Sequence, residues 1–139
     1  MTVVSCISCG KRVRVREAAP GLPRCHGCGA YLPWLVEATE QSFEQEAKAP
    51  VPVVVDLWAP WCAPCHALAP VLERLVARHA GKIKVVKVNT DESPGLAVRF
   101  DASSIPLLVV LSDGEVRDRI VGAQPLPALE ARLAPYLAA

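Results

Sequence analysis

Residues 51–65 read Val51-Pro52-Val53-Val54-Val55-Asp56-Leu57-Trp58-Ala59-Pro60-Trp61-Cys62-Ala63-Pro64-Cys65. The run 51–58 is apolar and rich in β-branched side chains, as expected of a strand buried on both faces. From about 62 to 79, Leu68, Val71, Leu72, Leu75 and Val76 recur at helical spacing, and Pro70 is expected to kink that helix. A Cys-x-x-Cys placed where a buried strand turns into a helix is the local arrangement of a redox-active dithiol. Working outward, the pattern predicts a buried strand over 83–88 and a short helix over 93–100. Strands over 107–111 and 116–121 meet at Asp113-Gly114, a hairpin signal, and 126–137 closes as an amphipathic helix. Upstream, 32–37 reads as a strand. Thr39-x-x-Ser42, with acids at 40, 44 and 46, reads as a capped helix start with negative charge at its positive end. The order βαβαβαββα predicts an α/β fold, a mixed central sheet flanked by helices on both sides.

The whole chain has 139 residues, 52% hydrophobic and 21% charged, which excludes disorder along its length. Its formal net charge of +1 argues against a polyanion-binding protein as a whole. The best apolar candidate for a membrane span, 51–62, is broken by Pro52, Asp56 and Pro60 and falls short of the roughly 18 residues required. The start, Met1 to Cys6, lacks the cationic and apolar parts of a secretory signal, so the expected location is cytoplasmic. In that reducing setting, cysteines point to metal binding or catalysis before structural disulfides.

Cysteines stand at 6, 9, 25, 28, 62 and 65, three Cys-x-x-Cys pairs in two different settings. Residues 1–34 hold Lys11, Arg12, Arg14, Arg16 and Arg24 against Glu17 alone, a net +4. The rest holds 10 basic and 13 acidic residues, a net −3. We therefore expect a small domain over 1–34 and a larger one over 35–139, packed close together because no long Gly/Ser linker separates them. In the small one, Cys6, Cys9, Cys25 and Cys28 have the spacing of a four-cysteine zinc site. Val13 to Arg16 alternates as a short strand, Pro20-Gly21 marks a turn, and Gly10, Gly27 and Gly29 supply the backbone freedom such knuckles need. About thirty residues with so few large apolar groups need a bound metal to fold, so one structural Zn²⁺ is expected. His26 is expected to face solvent, since four thiolates fill the shell. The basic residues offset the negative charge of a zinc–tetrathiolate centre, and nucleic acid is not expected as a partner.

The block Val55 to Cys65, followed in order by Pro70, Lys87, Ile105-Pro106 and Gly122, resembles the thioredoxin family over roughly residues 35–139. With the four-cysteine segment added, the chain looks like the thioredoxin-2 type, which carries an N-terminal zinc ribbon. The resemblance implies a thioredoxin fold and a cytoplasmic protein-disulfide reductase. A flavoprotein reductase using NADPH (thioredoxin reductase) would recharge the Cys62–Cys65 disulfide. Independently, Cys62 lies where a helix begins, which favours its thiolate and makes it the attacking nucleophile. Cys65 would resolve the mixed disulfide, and Pro64 fixes φ in the ring between them.

Asp56 is a carboxyl in an otherwise apolar strand. Burial would raise its pKa and suit it to take the proton of Cys65. By resemblance, Lys87 lies near Asp56 and modulates its charge, Ile105-Pro106 forms a cis-proline loop, and the backbone of Ile105 pairs with an extended substrate. Trp61, Ala63, Pro64, Ile105 and Gly122 would form an apolar docking surface, with Trp58 packing behind it. Three positions depart from the family pattern: Ala63 for Gly, His66 for Lys or Arg, and Leu107 for Thr after the proline. His66 introduces a pH-sensitive side chain. Other readings of the same residues are a net oxidant or isomerase, a zinc-ribbon adaptor on a thioredoxin scaffold, and a redox sensor that releases its metal on oxidation.

Overall fold

The computed structural model describes residues 2–15 and 21–137. Arg16 and Pro20, part of the expected strand and turn, lie outside the described residues. β1 (Thr2–Ser5) and β2 (Arg12–Val15) pair antiparallel. Their small core is Cys6, Val13, Val15, Cys25 and Leu32. The chain then crosses Pro33 into a larger core in which Trp34 is buried. Contact between the two parts is close: Leu22 packs against the larger core, and the Tyr31 ring lies over Gly81.

Five strands form the main sheet, in the order β3 (Leu35–Ala38), β5 (Lys84–Asn89), β4 (Val53–Trp58), β6 (Leu107–Ser112), β7 (Glu115–Val121). The first three run parallel, and β6 and β7 add antiparallel. Side chains alternate between the faces. Val53, Val55 and Leu57 meet Phe43 of α1 (Phe43–Glu46) and Leu96 of α3 (Pro94–Arg99) on one side. Val54 meets Leu68 and Leu72 of α2 (Ala63–Arg78) and Leu129 and Leu133 of α4 (Leu126–Leu137) on the other. This is a mixed sheet with helices on both faces, as the sequence pattern predicts. Asp113 and Gly114 turn the β6–β7 hairpin with φ of 53° and 78°, the left-handed pair such a turn requires.

Two local expectations change. The helix expected after Thr39 is a single turn, and Ser42, its capping position, makes no side-chain cap to it. The Ser42 hydroxyl instead accepts the Thr39 N–H at 3.0 Å, so the serine closes the preceding turn backwards. The first strand of the sheet is Leu35–Ala38, shifted from the expected 32–37, because Leu32 is taken into the small core. α2 runs through Pro70 without interruption.

Candidate active site

At the C-terminal end of β4 the chain turns through Ala59 to Trp61 and enters α2. Cys62 is the N-cap of that helix, extended at φ −92° and ψ 105°, and its Sγ accepts the Cys65 N–H at 3.2 Å. Pro64 between them has no N–H, so the Cys65 amide is the donor that can reach an N-cap acceptor. A sulfur here sits at the positive end of a 16-residue helix, where negative charge is stabilised. The Cys62 and Cys65 sulfurs lie 2.31 Å apart, with Cα atoms at 5.3 Å. Both residues are buried, with Ala59 and the half-buried Trp58 and Ile105. The Ile105–Pro106 bond is cis, and the Ile105 carbonyl oxygen is 3.9 Å from Cys62 Sγ.

Around the dithiol, Trp61 is 71% exposed, Ala63 and Pro64 are exposed, and Ile105 is half-buried. Pro106 is buried, and Gly122, at φ 86°, donates its N–H to the Pro106 carbonyl at 2.9 Å. What holds the loop is not legible in the chain's pattern. Trp61 Nε1 donates to Asp91 Oδ1 at 3.2 Å, and His66 Nε2 lies 2.6 Å from the Pro60 carbonyl oxygen. Both contacts span residues whose proximity only the fold creates. Leu107 is buried in the core.

Asp56 is 1% exposed, and its Oδ1 has no hydrogen-bond partner among the described residues. Burial pushes its pKa up to about 6, against the lowering pull of Lys87. Lys87 is its register partner on β5, an inner strand of the sheet. The Lys87 ammonium stands 5.0 Å from the centre of the Trp58 ring, and His66 meets that ring edge-on. Trp58 packs behind the site, between the lysine and the start of α2.

A second cluster lies in the small N-terminal part. The Sγ atoms of Cys6, Cys9, Cys25 and Cys28 are all within 4.8 Å of one another. Cys6–Cys28 and Cys9–Cys25 are each 3.6 Å apart, too long for an S–S bond of ~2.05 Å. A tetrahedron with zinc–sulfur bonds of ~2.3 Å has edges of about 3.8 Å, so the donor set fits one Zn²⁺. The two turns repeat each other. Gly10 and Gly29, both at φ 79°, donate to the Cys6 and Cys25 carbonyls at 2.8 Å. At Gly27 an added Cβ would come 2.9 Å from the Lys11 side chain and 3.6 Å from Cys25 Sγ. The thiols titrate against one another. Backbone N–H donation, chiefly from Cys9, draws Cys6 down to about 6. Cys9, although the Lys11 N–H lowers it, is driven up to about 11 by the Cys25 and Cys28 thiols and by burial. Four adjacent thiolates need a cation to coexist. His26 is exposed, as expected.

The thioredoxin family profile matches residues 34–135. The chain belongs to the thioredoxin family. It is 45% identical over 102 residues to Thioredoxin 1 of Nostoc sp., covering 73% of this chain and 95% of that protein. It is 47% identical over 96 residues to Thioredoxin of Bacillus subtilis, covering 69% and 91%. A chloroplastic M-type thioredoxin of Spinacia oleracea is 46% identical over 87 residues, 63% of this chain and 48% of that one. The thioredoxin domain with its Cys62–Cys65 pair makes the protein a thiol–disulfide oxidoreductase. The family match begins at Trp34, beyond the four-cysteine cluster.

Proposed function

We propose that the protein is a thioredoxin-2-type reductase of protein disulfides, cytoplasmic, with a zinc-ribbon domain over 1–34 and a thioredoxin domain over 35–139. The observation that carries the reading is the Cys62 sulfur at the N-cap of α2, accepting the Cys65 amide. As a thiolate, Cys62 attacks one sulfur of a substrate disulfide. That S–S bond breaks, a mixed disulfide forms, and the departing substrate sulfur takes a proton. Asp56, buried and with a raised pKa near 6, accepts the proton of Cys65. The Cys65 thiolate attacks Cys62 Sγ, the second substrate sulfur leaves and is protonated, and two electrons have passed from dithiol to substrate. Lys87 biases Asp56 toward its carboxylate.

Substrate docks on Trp61, Ala63, Pro64, Ile105 and Gly122, with the Ile105 carbonyl beside the sulfur and Pro106 shaping that loop. An NADPH-dependent thioredoxin reductase returns the disulfide to the dithiol. Cys6, Cys9, Cys25 and Cys28 hold one Zn²⁺, which would supply a closed tetrahedral crosslink for the N-terminal segment. Reduction of insulin disulfides, with metal content measured on the same samples, tests both parts. Wild type reduces insulin and carries one zinc per chain, whereas Cys62→Ser is inactive with its zinc intact. Failure of the wild type to reduce insulin contradicts the reductase reading and favours an adaptor, and insulin reduction by Cys62→Ser at the wild-type rate removes Cys62 from the role of nucleophile.

A further inference from the structure

Asp56 belongs to a row of charges that crosses three strands. Glu37 of β3 is the register partner of Lys87, and Lys87 is the register partner of Asp56. In-register residues of neighbouring parallel strands project to the same face at a spacing of about 4.8 Å. The row alternates in sign, and burial deepens along it: Glu37 is exposed, Lys87 half-buried, Asp56 buried. Beyond Asp56 it ends on Leu108, which is apolar. Where the strands stop, a cavity of about 220 Å³ is lined by Glu37, Thr39, Trp58, Lys87, Asn89 and Glu92. The Lys87 ammonium leans over Trp58, one of the walls of this cavity. The charged groups around Lys87 are Glu37 from β3, Asp56 from β4 and Glu92 from the loop before α3. From α2, packed over this face, His66 meets the edge of Trp58, and Cys65 packs in the same cluster as Trp58.

We propose that Glu37 is a positioning residue for thiol–disulfide exchange. Its carboxylate holds the Lys87 ammonium toward the cavity and so sets how much of that positive charge reaches Asp56. This rests on the reading of Asp56 as the base for Cys65. Removing the Glu37 charge leaves Lys87 free to serve Asp56, which favours the carboxylate. Glu37 is exposed and partly screened, so the expected effect is a downward shift of roughly half a pH unit in the Asp56 midpoint, about a threefold change in its ionised-to-neutral ratio.

Titration of the Asp56 carboxyl carbon by NMR in the oxidised protein reads this directly, in wild type, Glu37→Gln, Lys87→Met and the double variant. Lys87→Gln replaces the methionine variant should the latter fail to fold. The expected result is a downward shift in Glu37→Gln that disappears once Lys87 is gone. No shift in Glu37→Gln, or an equal shift with and without Lys87, overturns the proposal, because Glu37 then acts on Asp56 through space or not at all. Resolution of a mixed disulfide by Asp56→Asn, followed against pH, reports on the base itself. A profile unchanged from wild type discards the base reading, while the titration still decides whether the row exists.

Discussion

Asp56 is the residue at which stability and chemistry pull in opposite directions. Its pKa rises from an ordinary 3.8 to about 6 in the fold because burial disfavours the carboxylate. The linkage runs against folding above that range: stability is lost as pH climbs from about 4 to about 6 and stays lower beyond. At roughly 1.4 kcal/mol per unit, ionising Asp56 costs the fold about 3 kcal/mol at neutral pH. Asp56→Asn is therefore expected to stabilise the oxidised protein by up to about 3 kcal/mol at pH 8 and by nearly nothing at pH 4, measured by urea unfolding at both. The same variant should resolve mixed disulfides more slowly. A second buried charge has a different account. Lys84 is fully buried, its Nζ 3.0 Å from Glu46 Oε1 and 4.3 Å from the centre of the Trp34 ring. Glu46→Ala strands that ammonium and should cost about 3–5 kcal/mol in chemical denaturation.

Among the elements, those with strong periodicity were legible in the sequence and those held by distant contacts were not. β4 and α2 declare themselves because 51–58 is apolar apart from Asp56 and 68–76 repeats at helical spacing. α4 falls on Leu126–Leu137 as expected. The start of the first sheet strand differs from expectation because tertiary packing takes Leu32 into the small core, and α1 differs because the Ser42 hydroxyl turns back on the Thr39 N–H, a local bond that competes with capping. The dithiol, Asp56 and Lys87 could be named from the chain. The Trp61–Asp91 and His66–Pro60 contacts and the Glu37 row could not, because each depends on how loops and strands register. Gly81 is another such point. At φ +86°, with an added Cβ 2.6 Å from the Tyr31 ring, it has room for no side chain. Gly81→Ala should loosen the N-terminal part, seen as faster proteolysis between residues 21 and 34 with little change in insulin reduction.

Across the whole molecule, the four-cysteine cluster and the dithiol serve different ends of the sheet. Tyr31 docks at Gly81, just before β5 begins, whereas Cys62 follows the C-terminal end of β4. Six residues of strand separate these levels, about 20 Å. With the proposed Zn²⁺ held by that cluster, chelation should therefore unfold the segment around Cys6 to Cys28 and lower the melting temperature, while the dithiol keeps insulin reduction within about twofold. The most direct test of the account is covalent capture of a disulfide-bonded client by Cys65→Ala, read by non-reducing electrophoresis and mass spectrometry. Cys65→Ala should form an adduct through Cys62 that reductant releases and that Cys62→Ala/Cys65→Ala never forms. Absence of any adduct from Cys65→Ala, or its attachment through one of the four N-terminal cysteines, would contradict it.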